Sequence, residues 1–162
     1  MVELSEKTGI KSIVLHEIIQ IAKDNDVEKE LLFMKKFDNF KSALNNLKDI
    51  FTYDEPYGNV EIAGIVGLYE ICFEQAWKAM KDILISHGYA GGETGSPRMI
   101  LKTAYKAGMI SDEELWLNAL ISRNNVAHAY NEAIALDIIN QTKSNYYNMF
   151  VELEKTIEKD WM

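Results

Sequence analysis

The sequence is poor in the residues that interrupt helices or cross-link chains. Its 162 residues include only two prolines, Pro56 and Pro97, and one cysteine, Cys72. A single cysteine excludes an intrachain disulfide and fits a reducing, cytoplasmic setting. Scarce proline in so periodic a sequence favours long helices.

Long apolar runs and an excess of positive charge are also missing. No stretch approaches the roughly 18 to 20 apolar residues that a membrane span requires, so no membrane contact is expected. Seventeen basic residues stand against 25 acidic ones, which gives a net charge of -8. A general nucleic-acid binder usually shows a basic surplus, so any RNA contact must be local. A basic protein surface or a second copy of the chain is favoured as partner.

Apolar residues recur at helical spacing in four segments, and no segment shows the alternation typical of a strand. Residues 10–23 form the first segment, and Asp24-Asn25-Asp26 is predicted to break it. The other three segments, residues 27–51, 59–86 and 131–157, carry heptad-like apolar faces. We therefore predict an all-α fold, an up-and-down four-helix bundle with additional short helices. Residues 1–26 are assigned to an N-terminal amphipathic helix, a candidate appended segment, and residues 27–162 to the bundle.

Helix caps and stops divide the rest of the chain. The predicted stops are Gly88 and Gly108, and the predicted N-caps are Ser96, Ser111 and Asn131. Residues 88–95 are rich in glycine but lack the Gly-Lys-Ser or Gly-Lys-Thr of a phosphate loop. This segment is therefore predicted to be a plain loop.

The stretch from Ser122 to Glu132 has the composition of a chemical site. It holds one of only two arginines, Arg123, five residues before one of three histidines, His128. The planar guanidinium of arginine suits phosphate, and histidine moves a proton near neutral pH. Together they could cleave RNA through attack by the ribose 2′-hydroxyl, with no metal required.

Helix geometry limits that interpretation. Five residues of an α-helix turn through about 500°, which leaves the two side chains roughly 140° apart. Convergence requires a frayed helix end or a second subunit that brings its own pair. On spacing alone a simpler alternative is favoured, in which Arg123 and Asn124 cap a helix C-terminus and His128 hydrogen-bonds in a loop.

Ordered motifs give the chain a resemblance to a known family. Arg123-Asn124-x3-His128-x-Tyr130 resembles the Arg-x4-His-x-Tyr motif of HEPN domains paired with minimal nucleotidyltransferases. Residues 69–78 are similar to the Phe-Glu-x2-Phe-Glu-x-Ala-Trp-Lys run of the nucleotidyltransferase substrate-binding subfamily, with Tyr69 in place of the first Phe. The blocks at residues 96–98, 106–110 and 114–116 follow in family order. The resemblance covers roughly residues 27–155.

This resemblance implies a homodimeric bundle encoded near a minimal nucleotidyltransferase. In toxin–antitoxin pairs of the family, the HEPN member is a metal-independent ribonuclease whose motif lies at the dimer cleft. Arg123, Asn124 and His128 would then be catalytic, without cofactor or metal, and the partner would silence the site by transferring AMP to Tyr130. The alternative is a non-catalytic substrate-binding or docking subunit of the nucleotidyltransferase, which the acidic charge supports.

The remaining motif residues have structural interpretations as well. Tyr69 and the tryptophans are predicted core residues, and Cys72 is a predicted small buried residue. Glu70 and Glu74 lie one helical turn apart and are candidate partner-facing residues, although Glu74 also has ion-pair spacing to Lys78. No histidine accompanies the two glutamates at metal-ligand spacing.

Residues 10–33 are similar to the leading helix of a minimal nucleotidyltransferase. The Gly-Ser turn and paired aspartates that would follow in such an enzyme are replaced by Met34-Lys-Lys-Phe. The chain therefore lacks the metal-binding carboxylates of nucleotidyl transfer and is not itself a nucleotidyltransferase.

Overall fold

The computed structural model describes residues 12–89 and 95–162, and all regular elements in these ranges are helical. The predicted all-α fold is therefore confirmed. The α-helices are α1 (Ser12–Leu47), α2 (Asn59–Ser86), α3 (Pro97–Lys106), α4 (Glu113–Asn124), α5 (Glu132–Gln141) and α6 (Tyr147–Asp160). Short 3-10 turns follow α1 and α4 at Lys48–Thr52 and Asn125–His128, and a π-helical segment, Thr142–Tyr146, joins α5 to α6. None of the described helices is long and apolar enough to cross a membrane.

Helix α1 continues through the predicted break. Asp24, Asn25 and Asp26 all have helical backbone, so the prediction that they end a helix is wrong. Aspartate and asparagine cost a helix only a few tenths of a kcal/mol each, whereas proline or glycine would cost more. The Asp24 carboxylate also accepts a hydrogen bond of 2.9 Å from the Gln20 side chain, one turn earlier. The proposed division at residue 26 thus falls inside one helix and remains a prediction.

The core forms where the second half of α1 packs against α2 and α6. The predicted apolar face of α1 is buried at Phe37, Phe40, Leu44 and Leu47, whereas Phe51, in the turn beyond, is 45% exposed. Aromatic rings fill the centre of the bundle: the Tyr69 ring stacks on Tyr146 at 5.4 Å, and the Trp116 ring meets the Phe150 edge at 5.6 Å. Burial of this apolar face is the main source of stability for such a bundle.

The last predicted helix is present and contains an irregularity. Its predicted apolar face is buried throughout, at Ala135, Ile138, Thr142, Tyr146, Met149, Leu153 and Ile157. The π-helical segment lies in the middle of this face. Thr142, which is buried, donates its hydroxyl hydrogen to the Ile138 carbonyl at 2.7 Å, so its polar group is satisfied.

Most predicted helix ends are where the sequence places them. The Ser96 and Asn131 side chains cap α3 and α5 by accepting backbone hydrogen bonds, and Gly88 and Gly108 have φ of +81° after α2 and α3. The N-cap of α4 is Asp112 rather than Ser111: its Oδ1 accepts from the Leu115 N–H at 3.0 Å. A carboxylate interacts more favourably than a hydroxyl with the positive end of the helix dipole, which accounts for the correction. Residues 90–94 of the predicted glycine-rich loop lie outside the described ranges.

Candidate functional site

The predicted motif spans a change of helix type. Arg123 lies in the last turn of α4, and His128 is the last residue of the 3-10 turn that follows. Two backbone hydrogen bonds of 3.0 Å, from Ala129 N–H to Val126 O and from Asn131 N–H to His128 O, close this tight connection. Asn131 then starts α5, which limits the connection to a few residues.

Arg123 is paired with a carboxylate from a neighbouring helix. Its Nη2 lies 2.5 Å from Glu74 Oε1 on α2, and its Nη1 donates to Asn124 Oδ1 at 3.2 Å. The Trp77 indole donates to the second Glu74 oxygen at 3.2 Å, and the predicted Lys78 pair is present at 3.9 Å. Both outer nitrogens of the guanidinium are therefore engaged within the chain.

His128 and Tyr130 form a second, separate group at the surface. Their ring centroids are 6.4 Å apart at an interplanar angle of 70°, and Tyr130 is 89% exposed. Across the described residues, no hydrogen bond or ion pair connects Arg123 to either of these side chains. A single copy of the chain therefore brings Arg123, Asn124 and Glu74 together but does not join them to His128.

Buried hydroxyl groups fix the end of α4. Tyr69 on α2 donates to the Ala119 carbonyl, and the hydroxyls of Ser122 and Tyr146 are 2.8 Å apart. Burial raises the pKa of both tyrosines, so their hydroxyl groups stay protonated and can act as donors. Tyr69 was predicted as a core residue, but heptad spacing carries no signal for its hydrogen bond 50 residues along the chain.

A groove of about 580 Å³ lies between the first half of α2 and residues 125–130, which we call the motif turn. Its lining residues are Asn59, Ile62, Ala63, Val66, Gly67, Glu70, Val126, Ala129, Tyr130 and Glu132. Most of them are apolar, two are carboxylates, and this described lining includes no lysine or arginine. The predicted partner-facing residue Glu70 therefore lines an open groove, whereas Glu74 is turned towards Arg123.

A metal site or a nucleophilic cysteine has little support among the described residues. No group of three or more histidine, cysteine or carboxylate side chains there could hold a metal ion. Cys72 is fully buried, and burial raises the pKa of its thiol well above the ordinary value. The neutral thiol is a poor nucleophile, so Cys72 is a core residue, as predicted.

Comparisons with known proteins identify one family and two solved structures with a similar fold. The family described as "Nucleotidyltransferase substrate binding protein like" matches residues 35–159. A Thermus thermophilus protein of known structure is 25% identical, with a TM-score of 0.65 over 74% of this chain and 99% of its own. A Haemophilus influenzae protein, described as having the fold of a substrate binding domain of a nucleotidyltransferase, is 20% identical, with a TM-score of 0.58 over 79% of this chain and 98% of its own. No curated protein matches the chain.

Proposed function

Because the chain belongs to the family of nucleotidyltransferase substrate-binding-like proteins, we propose that it is a non-catalytic binding subunit of a nucleotidyltransferase. In this role it docks on the enzyme and holds the substrate for nucleotidyl transfer. The groove beside the motif turn is the observation that carries the proposal, since it offers apolar side chains and two carboxylates next to the exposed Tyr130. The proposal places the pair in the cytoplasm, where the lone cysteine stays reduced.

The charges around the motif support binding of a protein rather than RNA. Three carboxylates stand against two cations here: Glu70, Glu74 and Glu132 against Lys78 and Arg123. A phosphate would have to displace Glu74 from Arg123 or approach a carboxylate already in place. Like charges at such a site oppose RNA binding and favour a cationic partner.

Homodimerisation is part of the proposal. Arg123 and His128 belong to separate groups within one copy, so a composite site would require a second copy to bring its own motif close. Dimers with twofold symmetry are the commonest assembly of such small domains. Light scattering at micromolar concentration should give twice the chain mass.

A ribonuclease controlled by AMP transfer is the second candidate function, favoured by the exposure of His128 and Tyr130. His128 would move the proton of the attacking 2′-hydroxyl, and Arg123, with Asn124 beside it, would stabilise the charged phosphorane. The P–O5′ bond would then break, the 5′-oxygen would leave with a proton, and a 2′,3′-cyclic phosphate would remain. In the silencing step, the Tyr130 oxygen would attack the α-phosphorus of ATP, the phenolic proton would pass to a base, and pyrophosphate would leave. Mass spectrometry after co-expression would detect AMP on Tyr130.

Co-expression with the neighbouring nucleotidyltransferase tests both functions. The binding subunit should co-purify with that enzyme, while the purified chain alone leaves RNA intact in EDTA. Cleavage in EDTA that is lost in His128→Ala and Arg123→Lys would establish the ribonuclease instead. If no complex forms and no RNA is cleaved, both candidate functions are contradicted.

A further inference from the structure

The groove between α2 and the motif turn has the shape and charge of a receptor for one kind of side chain. We infer that it receives a lysine or arginine carried on an apolar segment of the nucleotidyltransferase. This inference rests on the proposed function, and it specifies which surface of the chain binds the enzyme and by what chemistry.

Apolar side chains provide part of the contact area. Ile62 on α2 and Val126 and Ala129 on the motif turn line the groove and are only partly buried. The stem of a lysine or arginine side chain is itself apolar and packs well on such surfaces while its charged end reaches polar groups. A volume of about 580 Å³ exceeds that of one side chain, so neighbouring residues of the segment can enter as well.

The two carboxylates of the groove, Glu70 and Glu132, differ from the nearby Glu74 in their contacts. Glu74, one turn after Glu70 on α2, is engaged by Arg123, Lys78 and Trp77. Across the described residues, neither Glu70 nor Glu132 has a hydrogen bond or ion pair. Their negative charge is therefore uncompensated at a concave surface, where a cation from outside the chain would gain most.

Tyr130 adds a second feature that a cation can use. Its ring is 89% exposed at the edge of the groove, and Glu132 follows two residues later in the chain. Lysine and arginine are attracted to the face of such a ring when they approach within about 6 Å of its centre. A basic residue seated between the carboxylates and the ring would bring the enzyme's surface to Tyr130.

Gly67 leaves open space on the α2 side of the groove. A Cβ atom added there would meet nothing within 4 Å, and the same holds for Gly64, which lies outside the groove. Leucine at either position improves helix propensity by up to about 1 kcal/mol, so both variants should fold. Gly67→Leu places a bulky side chain at the groove, and Gly64→Leu is its matched control.

Binding to the nucleotidyltransferase, measured by titration calorimetry with the full chain, tests the inference. We expect Gly67→Leu to bind at least about tenfold more weakly than wild type, and Gly64→Leu to bind like wild type. The double variant Glu70→Lys, Glu132→Lys should also lose at least about tenfold, because it places cations opposite the partner's cation. Its control is Glu114→Lys with Glu152→Lys, which makes the same charge change away from the groove.

The outcomes separate this inference from the proposed function. If wild type binds and the groove variants bind equally well, the groove is not the docking surface, although the binding-subunit function stands. Equal losses in groove and control variants would point to a general charge effect and overturn the inference. No binding by wild type would overturn both. Association between copies of the chain that is lost in the groove variants, with enzyme binding unchanged, would assign the groove to a second copy instead.

Discussion

The two halves of α1 have similar apolar content and very different surroundings. In the second half, Phe37, Phe40 and Leu47 are at most 1% exposed. Before Lys35, in the first half and the turn that follows it, the large apolar side chains are 42–62% exposed, at Val14, Ile18, Ile21, Val27, Leu31, Leu32 and Met34. The family match begins at residue 35, close to where burial begins. An amphipathic pattern is thus sufficient to specify a helix, whereas burial depends on what packs beside it.

The point along α1 at which the apolar side chains become buried follows from the length of α2. Lys36 lies close enough to Asp82 to affect its carboxyl group, and Asp82 is four residues before the end of α2 at Ser86. Because the two helices run antiparallel, earlier residues of α1 extend beyond the end of α2. Residues 12–31 add about 30 Å of helix past this point. Stability should therefore reside in the second half of α1 and the bundle around it.

The largest contrast is expected from alanine substitution in the two halves. Phe40→Ala should lower the free energy of unfolding by about 3–5 kcal/mol, because it removes a fully buried ring that contacts Phe150. Ile18→Ala should change it by less than about 0.5 kcal/mol, because Ile18 is half exposed. Urea denaturation followed by circular dichroism measures both. Comparable losses would mean that the first half of α1 is covered in solution.

The next largest effect concerns the polar link inside the bundle. Tyr146→Phe leaves the Ser122 hydroxyl buried without its partner, which should cost about 1–3 kcal/mol. Tyr53→Phe is a suitable control because Tyr53 is 44% exposed, and it should have almost no effect. Thermal denaturation of the two variants is sufficient. If Tyr146→Phe matched the control, packing alone would hold α4 against the last helices.

Removal of residues 1–31 should have a smaller effect on folding. The described part of this segment is largely exposed, so the free energy of unfolding should change by less than about 1 kcal/mol. The denaturant slope should also stay nearly the same, since little buried surface is lost. A loss of several kcal/mol would show that the first half of α1 contributes to the stability of the folded unit.

The smallest effect is expected at Asp82 of α2, which lies near Lys36, where the buried part of α1 begins. Burial raises the pKa of Asp82, although the Lys36 and Lys81 charges oppose this, and one of its buried oxygens has no hydrogen-bond partner among the described residues. A carboxyl group with a raised pKa in the folded state binds protons more readily there, so its ionisation at neutral pH opposes folding. Asp82→Asn should therefore raise the melting temperature at pH 7. The gain should shrink as the pH falls through the raised pKa, and a gain independent of pH would contradict this cause.

Several features could be predicted from periodicity and local spacing alone. The predicted heptad face from Phe33 to Phe51 is buried between Phe37 and Leu47, with the Phe33 side chain outside the described residues. The face that begins at Ala135 is buried, and Ser96 and Asn131 cap their helices. These predictions depend on residues three or four apart, whose relation is fixed by the helix itself. The continuity of α1 was missed because Asp24-Asn25-Asp26 has a turn-like composition with only a small energetic cost in a helix.

The site was less predictable because its contacts join distant parts of the chain. Arg123 and Glu74 are 49 residues apart in sequence, and only the packing of α4 on α2 brings them together. The motif pointed to Arg123 as a free phosphate ligand, whereas the folded chain surrounds it with its own acceptors. The groove likewise forms between α2 and the motif turn, two segments that are distant in the sequence, and their proximity has no periodic signal.

The π-helical segment allows α5 and α6, which form one continuous helix, to pack against two different helices. A π turn holds an extra residue, so the directions in which side chains point are offset between the parts before and after Thr142–Tyr146. Helix α5, before the shift, contacts α2, while α6, after it, contacts α1. If the same five residues formed regular α-helix instead, α6 would be rotated by about 100° relative to α5. Its apolar face would then turn away from α1, so the packing of Tyr147–Asp160 depends on the extra residue of the π-helical segment.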